Sequence, residues 1–190
     1  MSDFEYLSVL IAIILGIGIA HLLLSIGRVL GQAKKLNVGV VQLIWTANIL
    51  TVLIVFWWWG INLRELQEWT FLQFFFLLIN TALWCLLAAI LYPVSIPVDF
   101  DLKAYFAEKR KSFFAILVVT AFVDPSAAMV LGTEHLMDLG WPYLHINLVS
   151  LVGGITAIRF DNERFQLALA IYWGLSLTLF TFSFQFSLVA

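Results

Sequence analysis

Apolar residues run through this chain in six long blocks, and the polar residues fall mostly between them. A membrane-spanning helix needs about 20 consecutive apolar residues. Stretches near 4–27, 40–61, 70–92, 112–132, 141–159 and 165–188 meet that length. Lipid offers no partner to an open sheet edge, so continuous helices are the expected form. The pattern therefore predicts an all-α integral membrane bundle of six transmembrane helices, forming one domain over residues 1–190. The fifth block is the least regular, because Pro142 opens it and Gly153 and Gly154 interrupt it. Pro93 and Pro97 end the third. The connector over 97–111 then reads as a short interfacial helix running into the fourth span. Phe100, Leu102, Tyr105 and Phe106 would form its apolar face, opposite Lys103, Lys109 and Arg110, with Asp99 or Asp101 as N-cap.

Composition secures the class. Hydrophobic residues make up 63% of the chain and charged residues 12%, whereas soluble domains run near half and a quarter. The net charge of −2 gives no footprint for a nucleic acid. The single cysteine, Cys85, cannot form a disulfide within one chain. The start MSDFEY carries no basic residue, unlike a cleavable signal peptide, so the first block is expected to stay in the mature protein. No nucleotide fingerprint, cofactor motif or paired metal-ligand spacing is present; Glu134, His135 and Asp138 read as a solvated turn.

Charge sets the threading. Arg28, Lys34 and Lys35 follow the first block; Lys103, Lys109, Arg110 and Lys111 follow the third; Arg159 and Arg164 follow the fifth. Only Arg64 falls on the other side. Positive loops stay in the cytoplasm, so both termini are expected outside. Trp57, Trp58, Trp59, Trp69, Trp141 and Tyr143 then mark the outer boundary, and Tyr92, Tyr105 and Phe106 the inner one, as interface anchors.

Four stretches in this order carry a resemblance: FEYLSVLIAIILGIGIAHLLLSIGR, the Trp-rich second block followed by WTFLQFFFLL, DLKAYFAEKRKSFFAIL, and RFDNERF. Together they resemble a family of uncharacterised small bacterial polytopic membrane proteins. The likeness covers nearly the whole chain, departing at Lys111 and Ser112, where members often carry an aromatic residue. It implies a bacterial inner-membrane protein of several helices, and it implies no activity, cofactor or catalytic residue.

Polar residues inside the spans are the candidate chemistry. At 1.5 Å per residue, His21 lies about 10 Å from the cytoplasmic boundary, and Asn48 and Asn80 lie about 12 to 18 Å in. Asp124, Asn147 and Thr178 lie about 16 to 18 Å in. His145 sits nearer the outer surface. Trp45 and Trp84, each a turn from an Asn, could bring indole N–H groups to the same layer. Such groups should face the bundle interior. Asp124 is the costliest, since a carboxylate in the membrane needs a cation beside it, which only His21 or His145 could supply among the histidines, and Pro125 beside it frees a backbone carbonyl. Interhelical hydrogen bonding alone would explain the Asn and Thr residues. Asp124 and His21, being ionisable, point instead to a polar pathway for protons.

In the first helix Gly18, His21, Ser25 and Arg28 share one sector. Gly16, Ala20, Gly27 and Gly31 share another, smooth enough for a second helix to approach closely. That contact could lie within the chain or between copies in a homo-oligomer. Two functions remain open: an oligomeric ion- or proton-permeation or proton-handling protein, or a structural or accessory subunit of a membrane complex. No intramembrane lysine is present for a Schiff base, and no serine nucleophile has a base beside it. Beyond the lipid bilayer, a copy of itself or a complex partner, the sequence names no partner.

Overall fold

The computed structural model of the protein describes residues 3–32, 35–60, 63, 69–97 and 99–187. Six helices carry the chain: α1 (Asp3–Gly31), α2 (Val40–Trp59), α3 (Phe71–Leu91), α4 (Leu102–Leu131), α5 (Thr133–Arg159) and α6 (Glu163–Ser187). Each is long and apolar enough to cross a bilayer, so this is a multi-pass, six-helix integral membrane protein in contact with lipid. Going round the bundle, the packing order is α1, α3, α4, α5, α6 and α2, and α2 also touches α1 and α3. The first helix is the most peripheral, with most of its surface outside the bundle.

Local signals explain the helix starts. Thr70 and Gln73 form a capping box at α3, with the Gln73 N–H donating to Thr70 Oγ1 at 3.3 Å and the Thr70 N–H to Gln73 Oε1 at 2.9 Å. Asp101 caps α4 by accepting from the Ala104 N–H at 2.8 Å; Asp99, the other candidate, instead sits at φ 63. Asn162 Oδ1 accepts from the N–H groups of Arg164 and Phe165 at the start of α6.

Two expected boundaries move. The connector over 97–111 is not a separate interfacial helix, because from Leu102 onward it forms the first turns of α4. Leu102, Phe106, Arg110, Phe113 and Leu117 are buried at helical spacing, so the face expected to touch lipid is the inward face of α4 itself. Gly153 and Gly154 do not interrupt α5. They let it sink between its neighbours: a Cβ at Gly153 would stand 2.4 Å from Leu169 Cδ1, and one at Gly154 would stand 2.7 Å from Val118 Cγ2. The real irregularity is Gly140, whose φ of 68 turns a short leading helix into the span. Glycine tolerates that conformation, and Pro142 in the following turn fits a helix start.

Of the ten basic residues, all but Lys34 and Arg64, which lie outside the described residues, sit at one end of the bundle. That end is stitched across elements. Arg28 donates to the Val94 carbonyl at 2.7 Å, Lys103 pairs with Glu163 at 2.8 Å, and the Lys103 N–H donates to the Asn37 carbonyl at 3.0 Å. Arg110 is buried and donates to the carbonyls of Ala157 and Phe160, closing the C-terminus of α5. Tyr92 and Phe106 are buried too, so they are core residues rather than boundary anchors. Trp57, Trp58 and Trp141 are exposed, as boundary anchors should be.

Candidate functional site

Asp124 stands in the last third of α4, far from the basic end. Helix α4 runs on through Pro125, which has no N–H, so the Ala121 carbonyl loses its helical partner. Helix α3 presents Asn80, whose Nδ2 donates to Asp124 Oδ1 at 2.6 Å. Helix α5 presents the Tyr143 hydroxyl and the Asn147 amide to the same carboxyl. The Trp84 indole N–H faces it as well, from beyond direct hydrogen-bond distance. Tyr143 reaches this position because the turn at Gly140 starts the spanning part of α5 just before it. Expected as a boundary anchor, Tyr143 belongs to the site.

The group opens on a cavity of about 110 Å³. Its walls come from α2 through α6 and include Phe56, Trp58, Trp59, Trp84, Tyr143, Trp173 and Phe180, with Ala121 and several Leu, Val and Ala side chains. Among the described residues, Asp124 is the one charged residue in the wall, and no Lys, Arg or His lines the cavity. The Asn80 Oδ1 atom is buried beside the carboxyl without a partner.

Below the cavity, toward the basic end, lies an aromatic layer. Trp84 packs on Trp173 (6.3 Å between ring centroids), Trp173 on Trp45 (5.5 Å), and Trp45 edge-on to Phe113 (5.1 Å) and Phe114 (5.8 Å). The Trp173 N–H donates to Ser150 Oγ at 2.7 Å. Trp45, expected to lend its N–H to the polar layer, is fully buried among these rings.

His21 belongs to a second cluster on the far side of that layer. Its ring faces the Tyr92 backbone, with Nε2 buried and unpartnered; the Tyr92 hydroxyl meets Thr46 Oγ1 at 3.0 Å, and Gln42 donates to the Leu91 carbonyl at 2.6 Å. Asn80 and Tyr92 mark the two clusters on α3, twelve residues or about 18 Å of helix axis apart. The expected separation of about 8 Å along the bundle is too small, and the layer between is aromatic. So His21 and Asp124 are not brought together.

The other candidates also separate. Asn48 donates to the Ala170 carbonyl at 2.8 Å, lying in a notch left by Gly174. His145 meets the exposed Tyr172 hydroxyl at 3.0 Å, away from Asp124. Thr178 bonds its own helix at Gly174. Gly16, Ala20, Gly27 and Gly31 are exposed on the single chain, and a Cβ at any of the three glycines would meet nothing within 4 Å. The small face of α1 therefore makes no packing contact within the chain. The sector that packs holds Gly18 and Ser25, with Gly18 against Leu53 and Cys85. The side chains of Glu134, His135 and Asp138 fall outside the described residues.

No protein-family model, curated protein or solved structure matches the chain.

Proposed function

We propose that this is a bacterial inner-membrane protein that handles protons at Asp124, in the half of the bilayer away from the basic loops. One observation carries the reading: a half-buried carboxyl whose described neighbours are all neutral stands at the wall of a cavity. An unpaired carboxylate in a low-dielectric interior costs several kcal/mol. Neutral donors offset part of that, on the order of 1 kcal/mol each. The rest is met by a proton or a mobile cation, and the cavity is the route for either.

Asn80 suits both states of the carboxyl. Its Nδ2 donates to Asp124, and its unpartnered Oδ1 can accept the O–H of the protonated acid. The aromatic layer argues against a static conduit reaching His21, so proton loading from one face is the better-supported form of proton handling than permeation. The resemblance to a bacterial membrane family supports the inner-membrane placement. A pH jump on purified protein with a soluble indicator dye tests the reading. Asp124→Asn should remove about one proton of uptake per chain from that of the other titratable groups, and this Asp124-dependent share should persist in His21→Gln. Uptake unchanged by Asp124→Asn contradicts it.

A second reading has its own observation. The unpacked face of Gly16, Ala20, Gly27 and Gly31 suits close approach of another helix, which favours a homo-oligomer or an accessory subunit. Cysteine at Gly27 should then crosslink chains in native membranes; a purely monomeric product counts against assembly through this face.

A further inference from the structure

Resting on the proton reading above, we propose that the cavity takes a small onium ion, a monocation whose charge is covered by methyl or methylene groups, in exchange for the proton of Asp124. The charge balance comes first. Among the described residues, Asp124 is the one charged group in the wall, and Tyr143 on α5 is the only other titratable side chain there; α2, α3 and α6 contribute aromatic, apolar and neutral polar groups. An anion finds no counter-charge. A metal ion finds a single carboxylate in aromatic and apolar walls, and no cluster of three acidic, His or Cys ligands exists among the described residues. A neutral hydrocarbon would leave the carboxyl unused. An alkylammonium ion pairs with the carboxylate and finds aromatic rings around it, whose faces attract cations.

Size and access agree. The cavity of about 110 Å³ is somewhat smaller than the ~150 Å³ apolar cavity that binds benzene, so only a small ion fits. Beside it is a second cleft of about 410 Å³ between α1 and α2, lined by Leu7, Ser8 and Ala12 of α1 and by Trp57 of α2. Phe56 and Leu77 line both spaces. Movement of this shared wall would connect the cavity to the cleft, giving an ion at the outer membrane interface a way in between the helices. On entry the carboxylic O–H bond breaks heterolytically, the proton leaves to water, and the carboxylate remains as counter-ion.

The probe is tetramethylammonium, with its uncharged carbon isostere 2,2-dimethylpropane as control. Both are titrated into protein in lipid nanodiscs and followed by tryptophan fluorescence and by proton release to a dye. Tetramethylammonium should bind with proton release, and below the titration of Asp124 its affinity should fall about tenfold per pH unit, as linkage requires of one-for-one competition. Asp124→Asn should abolish the cation's binding and leave that of the isostere. Ala12→Trp, which touches only the cleft, should slow binding without changing its proton release. Equal binding of cation and isostere, binding retained in Asp124→Asn, or binding without proton release each overturns the proposal. Absence of cation binding alongside intact Asp124-dependent proton uptake overturns the onium ligand alone and leaves the proton reading standing.

Discussion

Gly174 and Asn48 form a contact that makes a sharp prediction. A Cβ built on Gly174 would stand 2.4 Å from Asn48 Oδ1 and 3.3 Å from its Nδ2. Gly174→Ala must therefore push the Asn48 amide back by about 1 Å to reach ordinary van der Waals distance. That displacement breaks the 2.8 Å bond to the Ala170 carbonyl, because the amide is wedged against α6 from within α2. An interhelical hydrogen bond in a membrane is worth about 1 kcal/mol, and a stranded buried amide costs about 1–3 kcal/mol. Alanine returns up to about 1 kcal/mol in helix propensity. The net expectation is a loss of about 1–3 kcal/mol in the wild-type background. In an Asn48→Ala background the clash is gone, so Gly174→Ala should be neutral or stabilising by up to about 1 kcal/mol. The pair should then couple by about 2 kcal/mol. The assay is unfolding in mixed micelles, followed by far-UV circular dichroism on all four members of the cycle. If Gly174→Ala costs the same in both backgrounds, Asn48 does not occupy the notch.

Arg110→Gln should lower stability in the same assay by about 1.5–3 kcal/mol, the range for hydrogen bonds from a charged donor, and a wild-type melt would show that α5 needs no closure by Arg110. Gly27→Leu should leave the fold of the single chain within about 0.5 kcal/mol of wild type, since nothing lies within 4 Å of its Cβ position; a large loss would mean that α1 packs differently. Cysteines at 109 and 162 should react with impermeant reagents only from the cytoplasm, and at 137 only from outside; a reversed pattern inverts the bundle. Asp101 is exposed, and its carboxyl is held below the usual carboxylate range first by the Ala104 N–H and then by Asn37. A lowered folded value means that its contribution is present above the unfolded value and lost as pH falls through the folded one. Asp101→Ala should therefore flatten the acid side of the stability profile, and an unchanged acid limb would contradict the cap.

The number and order of helices were legible because lipid forces long apolar runs, and the charge bias grouped the basic loops. Asp124, Asn80 and Asn147 stood out for the same reason, as polar groups too costly to leave in lipid, and the structure gathers those three. Tyr143 was missed because an aromatic near a span end has an ordinary explanation at the interface; only the turn at Gly140 aims its hydroxyl inward. Arg110 was missed because its charge masked a buried stripe that continues the span. The partners of His21 and Asn48 were not legible, since depth along a helix says nothing of azimuth. His21 and Asp124 also lie farther apart in depth than counting along each helix suggests, with the aromatic layer between them. Gly153 and Gly154 were read as breaks when they are close-packing sites, a distinction that depends on which side chains arrive from neighbouring helices.

The central claim is that Asp124 is a reversible proton-binding group reached through the cavity. Infrared difference spectroscopy of the protein in nanodiscs, recorded between high and low pH, tests it most directly. The account predicts a protonated-carboxyl C=O band that grows as pH falls, shifts on Asp124→Glu and is absent in Asp124→Asn, while His21→Gln leaves it in place. A difference spectrum in which Asp124→Asn removes no carboxyl band would contradict the account.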